Sequence, residues 1–262
     1  MRLIFLFSYF LGLNILAAEP IWQGQASEHF EIFASTGHLS GALIAGLEDI
    51  PSKLQIHMTI FNPWTHKEKI TIYIYPDEAA YLNGQFHPPP WSLGIAMAKS
   101  RTIAVYQQTD TRKFKSIVLH EITHLLFQDY FGEKPPRWLT EGYAMLMESE
   151  TLLNLKTVSH ANSLMDKHPS EVTPPWLPLT QFFQESPTTD TPESRTGLWY
   201  KQAKSLVGYL YKSQKSERFK EFCSKLKQDT PLDEALNSAY NLKDVKALEK
   251  AWSFYLKAQK PL

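Results

Sequence analysis

The chain has 262 residues, with 27 basic and 27 acidic side chains and a hydrophobic content of 43%. Balanced charge provides no field that favours nucleic acid or an anionic membrane surface, so we expect no nucleic-acid partner. The only cysteine is Cys223, which excludes an intramolecular disulfide, so the stability of this globular composition must come from its core.

The first 18 residues have the layout of a secretory signal peptide. Arg2 precedes an apolar run from Leu3 to Leu16, and the small residues Ala17 and Ala18 follow it. The run is shorter than the roughly 20 apolar residues that a membrane-spanning helix needs. We therefore expect residues 1–18 to be removed and the protein to be exported to the periplasm or secreted. An uncleaved membrane anchor is the alternative, and after cleavage we expect no membrane span.

Residues 19–111 are predicted to form an α/β lobe. β-Branched and aromatic residues in short runs predict strands, and apolar residues at helical spacing predict helices. The predicted elements are a strand at 29–33, a helix at about 41–61 with a kink or restart at Pro51, a strand at 70–75, a short helix beginning near Asp77, and a hairpin formed by 93–98 and 102–107.

Residues 112–262 are predicted to form a helical lobe. Helices are expected at about 112–130 and 137–149, a proline-rich loop at 170–196, and further helices from Trp199 to the C-terminus. Strands that come early and helices that come late predict an α+β fold.

The segment His-Glu-Ile-Thr-His runs from His120 to His124 within the first of these helices. Two histidines four residues apart project from one helix face and can reach one metal ion. Glu121 lies beside them and can accept a proton from a water molecule that the metal activates. A polar helix face with two histidines is the alternative, but the apolar neighbours of the motif would make that burial costly. We predict a zinc site with His120 and His124 as ligands and Glu121 as general base.

A catalytic zinc ion takes three protein ligands, and Glu141 is the candidate for the third. It follows in the segment Trp-Leu-Thr-Glu-Gly-Tyr-Ala on the next predicted helix. Gly132 and the prolines Pro135 and Pro136 supply a turn, so an antiparallel helix pair would bring Glu141 back to the histidines. A solvated carboxylate is the alternative, and the apolar neighbours of Glu141 argue against it.

HEITH followed by WLTEGYA resembles the gluzincin metallopeptidases, and residues 28–257 are similar to the small bacterial peptidase-MA-like domains. The resemblance implies a small mixed-sheet lobe packed on a mainly helical, thermolysin-like lobe, with zinc between them. It also implies peptide or protein substrates that are hydrolysed by metal-activated water. In those proteins a strand beside the cleft pairs with the peptide backbone, and residues 93–98 form the matching strand.

The same resemblance implies a tyrosine hydroxyl over the oxyanion, and Tyr200 is similar in position. A helix-packing role is the alternative for Tyr200, and Tyr143 is the second candidate. Met145 stands four residues after Glu141, where some gluzincins have an aspartate behind the metal ligands, so that carboxylate comes from elsewhere or is missing. Lys99 stands where an aminopeptidase would have an acidic residue, so aminopeptidase specificity is not predicted.

Other reactive side chains are expected to have structural roles. Cys223 has apolar neighbours at helical spacing and is predicted to lie in the core, and His160 and His168 are predicted to lie at the surface. The leading hypothesis is an exported zinc-dependent peptidase. The alternative is a non-catalytic peptide-binding or scaffolding domain with a retained metal site, and the presence of all four motif residues favours the enzyme.

Overall fold

The computed structural model describes residues 21–35, 39–61, 68–132, 135–153, 176–188, 190–212 and 216–258. Within these ranges a five-stranded sheet comes first and most later residues are helical, so the predicted α+β fold is confirmed. The predicted signal peptide, His160 and His168 lie outside the described residues.

The sheet is mixed and its two edge strands are antiparallel to their neighbours. Its strands are β1 (Gln23–Ala26), β2 (Phe30–Ala34), β3 (Ile70–Tyr75), β4 (Gly94–Met97) and β5 (Thr102–Tyr106), in the order β1-β2-β3-β5-β4. The inner strands β2, β3 and β5 run parallel, and Ile32, Ile72 and Ile103 stand in register with no exposed surface. Strand β1 was not predicted because its four residues are exposed and show no alternation of apolar and polar side chains.

Helices account for most of the remaining described residues. They are α1 (Gly41–Met58), α2 (Glu78–Leu82), α3 (Thr111–Phe131), α4 (Arg137–Leu153), α5 (Leu179–Phe182), α6 (Glu193–Lys212), α7 (Ser216–Lys227), α8 (Leu232–Tyr240) and α9 (Val245–Ala258). Helix α1 continues through Pro51 without a restart. The prediction of a loop over 170–196 was wrong where α5 forms and where α6 begins, because buried side chains such as Leu179 and Phe182 hold α5 on the core.

Two local features position the hairpin and the helices around the site. Arg101 ends the hairpin turn at a φ of 48°, and its buried guanidinium pairs with Asp129 of α3 at 2.5 Å. This ion pair fixes β4 and β5 against α3. Gly142 allows α4 and α6 to touch, because a Cβ atom there would lie 2.5 Å from the carbonyl oxygen of Ala203.

A continuous cluster of buried apolar side chains extends from β2 through α1, α3 and α4 to α9. The division into lobes at residue 111 stays a prediction. No helix in the described part of the chain combines the length and the apolar composition that crossing a membrane requires.

Candidate metal centre and catalytic site

Helices α3 and α4 lie antiparallel, with the two sequence motifs face to face. His124, late in α3, lies close to Glu141, early in α4, whereas His120 contacts Glu148 two turns further along α4. Gly132 ends α3 at a φ of 84°, which glycine adopts without strain. The predicted turn between the helices therefore brings the histidines and Glu141 together.

Three side-chain atoms converge between the helices: Nε2 of His120, Nε2 of His124 and Oε2 of Glu141. The two nitrogens are 3.0 Å apart, and the oxygen lies 3.6 Å from the first and 3.5 Å from the second. The three side chains keep between 15% and 20% of their surface exposed. This cluster is therefore nearly enclosed, but it remains open to the cleft.

The triangle has the dimensions of one face of a zinc coordination tetrahedron. Zn–N bonds of about 2.0–2.1 Å at tetrahedral angles place two ligand atoms about 3.3 Å apart, within the range of the three separations. Two imidazole nitrogens and one carboxylate oxygen are also the ligand set of hydrolytic zinc sites. When both imidazoles carry their proton on Nδ1, two Nε2 lone pairs face each other across 3.0 Å, an arrangement that a cation between them would stabilise. The residues fit a zinc ion.

Glu148 is a site residue that the sequence reasoning missed. One of its carboxylate oxygens accepts the Nδ1 proton of His120 at 2.5 Å, and the other accepts the hydroxyl proton of Ser116 at 2.8 Å. A proton on Nδ1 leaves the lone pair on Nε2, the atom that faces the other two ligand atoms. Glu148 thus supplies the carboxylate that is absent at Met145. The sequence did contain one indication of this role: Glu148 lies seven residues after Glu141, and this spacing puts both carboxylates on one face of α4.

Glu121 lies beside the ligand cluster, and only 7% of its surface is exposed. It lines the same cleft as His124 and Glu141. Gly94 of β4 leaves room for it, since a Cβ atom at that position would lie 3.1 Å from Cγ of Glu121 and 2.9 Å from Ile117. Burial raises the pKa of Glu121, and the nearby histidine charges offset this only in part.

His120 and Glu141 shift each other's pKa in opposite directions. Burial by itself would lower the pKa of His120, but its hydrogen bonds with Glu141 and Glu148 raise that pKa well above its usual value. Burial would raise the pKa of Glu141, but its hydrogen bonds with the two histidines hold that pKa far below its usual value. Nε2 of His120 and Oε2 of Glu141 are also atoms that a metal ion would bind, so a proton and a metal would compete at this pair.

Tyr200 lies on α6, and Arg137 connects it to the ligand cluster. Nη2 of Arg137 donates to the hydroxyl of Tyr200 at 3.4 Å, and Nε of Arg137 lies 3.7 Å from Oε1 of Glu141. Burial raises the pKa of Tyr200 and the charge of Glu141 adds to the rise, so the hydroxyl keeps its proton at neutral pH. Arg137 was not predicted, because a contact between residues 63 positions apart leaves no local pattern in the sequence.

Two other residues from the sequence analysis lie in the core. The hydroxyl of Tyr143 donates to the carbonyl oxygen of His57 at 3.1 Å, and its ring stacks on Phe127 and Phe219. The second candidate for the oxyanion tyrosine therefore points away from the ligand cluster. Cys223 is fully buried, and this burial raises the pKa of its thiol.

The cleft in front of the ligand cluster has a volume of about 260 Å³. Its wall combines side chains from α3 and α4 with Ala96 of β4 and Ala98 directly after that strand. Strand β4 pairs with β5 on one side, and no described strand pairs with its other edge. The predicted cleft-edge strand therefore borders the same cleft as Glu121 and the candidate metal ligands.

A search of curated proteins returns no match to this chain. The family profile of the Peptidase MA superfamily matches residues 57–258, which include every element from the end of α1 to α9 and therefore the whole ligand cluster. The chain belongs to the Peptidase MA superfamily.

Proposed function

We propose that this protein is a zinc-dependent peptidase of the gluzincin type. The observation that carries the proposal is the convergence of His120, His124 and Glu141 at tetrahedral spacing, with the buried Glu121 beside them. Membership of a peptidase superfamily supports it, since members of this superfamily are commonly metallopeptidases.

The charges of the site support a divalent cation. Metal binding requires both imidazoles to be neutral, and in that state the carboxylates of Glu121, Glu141 and Glu148 and the guanidinium of Arg137 leave a net charge of two negative units. Buried charges of one sign are costly unless they are compensated. A divalent ion held by the three ligand atoms would neutralise them.

Each protein group has a role in the proposed reaction. A zinc ion bound at this site supplies a Lewis acid that polarises water and the substrate carbonyl. Glu121 takes the proton of the attacking water and delivers it to the leaving amine. The hydroxyl of Tyr200 donates a hydrogen bond to the carbonyl oxygen as negative charge develops there, and it keeps its proton. Glu148 holds His120 in the tautomer and orientation that binding requires.

The free edge of β4 is the proposed binding site for the substrate backbone. Its N–H and C=O groups on that side have no partner strand among the described residues, and an extended peptide can satisfy them as an additional strand. Because Ala96 and Ala98 line the cleft with Glu121 and His124, such a peptide would pass in front of the ligand cluster.

The alternative of a non-catalytic domain depended on the absence of a carboxylate behind the metal ligands. Glu148 supplies a carboxylate to His120, and this contact supports the peptidase over an idle metal site. The peptidase is therefore the single function that we propose.

The test compares Glu121→Gln and Glu141→Ala in metal content and in digestion of a peptide library. We expect Glu121→Gln to keep its zinc but to lose turnover by about 10²–10⁴-fold, the usual contribution of a general base. Glu141→Ala should lose zinc, because two histidines are too few ligands for tight binding. Glu150→Gln is the matched control, since Glu150 lies on α4 but pairs with Lys212.

Two outcomes would contradict the assignment. If Glu121→Gln loses its zinc while Glu141→Ala keeps it, the roles of the two glutamates are wrong. If both variants hydrolyse peptides as well as the parent protein, the chain is not a zinc peptidase of this type.

We also propose that the enzyme acts after export. The apolar run at Leu3–Leu16 and the small residues Ala17 and Ala18 support this proposal. N-terminal sequencing of the exported form should begin at Glu19, whereas intact Met1 in a washed membrane fraction would indicate an uncleaved anchor.

A further inference from the structure

Arg137 contacts four groups beside the candidate metal ligand Glu141. It is the first residue of α4, and its Nη1 donates to the carbonyl oxygen of Pro187 at 2.7 Å. Its Nη2 donates to the hydroxyl of Tyr200, and its Nε lies 3.7 Å from Oε1 of Glu141. The guanidinium also lies over the ring of Trp199, 5.8 Å from the centroid. With these contacts its orientation is fixed, although 40% of the side chain is exposed.

The direction of the hydrogen bond to Tyr200 decides what that hydroxyl can do. A guanidinium only donates, whereas a tyrosine hydroxyl can donate one proton and can also accept. Because Arg137 donates to the oxygen of Tyr200, the phenolic proton must point elsewhere. No hydrogen bond from that proton to a described residue is present, and the charges of Glu141 and Glu121 act on the hydroxyl, so the proton can be donated to a group bound beside these carboxylates.

Arg137 also connects this hydroxyl to the candidate metal ligand. Oε2 of Glu141 faces the two histidines, whereas Oε1 faces the guanidinium. Arg137 therefore contacts both Glu141, the candidate metal ligand, and Tyr200, the proposed donor to the substrate carbonyl. Glu141 lies on α4 and Tyr200 on α6. These helices are in contact at Gly142, and this contact fixes the distance between them.

Resting on the proposed peptidase function, we propose that Arg137 is a positioning residue that makes Tyr200 the hydrogen-bond donor to the substrate's carbonyl oxygen. The planar fork of an arginine reaches three acceptors in different directions, whereas a lysine is a single point charge. Arg137→Lys therefore keeps the charge but loses the simultaneous contacts to Pro187, Tyr200 and Glu141.

The experiment is a double-mutant cycle between Arg137→Lys and Tyr200→Phe in the zinc-loaded full chain. We expect Tyr200→Phe to lower kcat by about 10²–10³-fold, the loss typical of one oxyanion donor. Arg137→Lys alone should lower kcat by about 10–100-fold, with KM and zinc content nearly unchanged. In the Tyr200→Phe background, Arg137→Lys should cost less than about threefold, because the hydroxyl that it orients is gone.

A second readout does not depend on turnover. A phosphinate peptide carries tetrahedral oxygens that resemble the charged carbonyl oxygen of the reaction, and its binding can be measured by calorimetry. Each single variant should weaken this binding, and the losses should again be non-additive. If the parent protein binds the phosphinate with this coupling but cleaves no peptide, the proposed function fails while the role of Arg137 is supported.

Arg195→Gln is the matched control. Arg195 pairs with Glu185, in the same segment as Pro187, but it contacts none of the site residues. The control separates anchoring of this segment from positioning of Tyr200, and it should leave kcat unchanged. Equal losses from Arg137→Lys with and without the Tyr200 hydroxyl would overturn the proposal, as would an unchanged kcat and phosphinate affinity in Arg137→Lys.

Discussion

The two faces of α4 bury polar atoms in opposite ways. On one face Tyr143 is fully buried, and its hydroxyl donates to the carbonyl oxygen of His57, which also accepts a hydrogen bond from Tyr211. On the other face Oε2 of Glu141 lies 3.5–3.6 Å from Nε2 of both histidines, a spacing that suits a shared cation. Positions 141 and 143 are two residues apart, yet Tyr143 is paired with the backbone, whereas Glu141 belongs to a group that could hold a cation.

The difference between Tyr143 and Glu141 distinguishes polar groups that are buried to stabilise the fold from polar groups that are buried to bind a ligand. A buried polar group that is paired by the fold stabilises the fold, whereas a buried group without a complement costs free energy. The cost is acceptable where a ligand supplies the missing partner. The core face of α4 should therefore respond to substitution through stability, and the metal face should respond through metal affinity and turnover.

The largest expected effect on stability is that of Tyr143→Ala. Removing a ring that stacks on Phe127 and Phe219 should lower the free energy of unfolding by about 3–5 kcal/mol. Tyr143→Phe removes only the hydrogen bond to His57 and should cost about 1 kcal/mol. Urea denaturation measures both losses. Turnover per folded molecule should be unchanged in Tyr143→Phe. A loss of about 10²-fold would instead place this hydroxyl in the active site and contradict the assignment of Tyr143 to the core face of α4.

The second expected effect is that of Glu148→Gln on metal affinity. The variant keeps the shape but weakens the hydrogen bond that orients His120, so zinc affinity should fall about 10–100-fold, or roughly 1.4–2.7 kcal/mol. Competition with a fluorescent chelator measures the affinity. Glu150→Gln, on the same helix but paired with Lys212, should retain the parent affinity. An unchanged affinity in Glu148→Gln would mean that Glu148 belongs to the structural face.

The smallest expected effect on zinc content is that of Glu48→Gln. Both carboxylate oxygens of Glu48 already accept hydrogen bonds from within the protein. Glu48 lies near Glu28 and His29, a second group that could in principle hold a cation. However, its oxygens already accept the backbone N–H of His29 at 2.9 Å and Nδ1–H at 2.6 Å. We expect zinc content to be unchanged in Glu48→Gln, and a loss of one zinc per chain would contradict the comparison.

The same variant has a defined pH dependence. Burial alone would raise the pKa of Glu48, but hydrogen bonds from Ser27 and His29 lower it below the usual 4.5. A lowered pKa in the folded state means that Glu48 stabilises the protein above pH 4.5 and that this contribution is lost as the pH falls further. Glu48→Gln should therefore cost about 1 kcal/mol at pH 7 and less below pH 4. Denaturation at both pH values checks this, with the exposed Glu31→Gln as control.

Local patterns in the sequence predicted the helices and strands that hold the candidate site. The spacing of His120 and His124 needs only one helix, and their approach to Glu141 needs only a short turn between two helices. The turn residues were visible in the sequence, so the ligand cluster could be anticipated before its geometry was known. Strand β1 was missed because exposed residues without alternation carry no such signal.

By itself, the sequence determined which residues could meet through one helix or one turn, because helical periodicity fixes the direction of neighbouring side chains. It could not determine the partners of those residues across the fold. Only the tertiary structure showed that Glu148 orients His120, that Arg137 reaches Tyr200 on α6, and that the hydroxyl of Tyr143 points into the core. These contacts depend on how α4 is rotated and how closely it packs against α3 and α6, which the buried side chains of all three helices decide together.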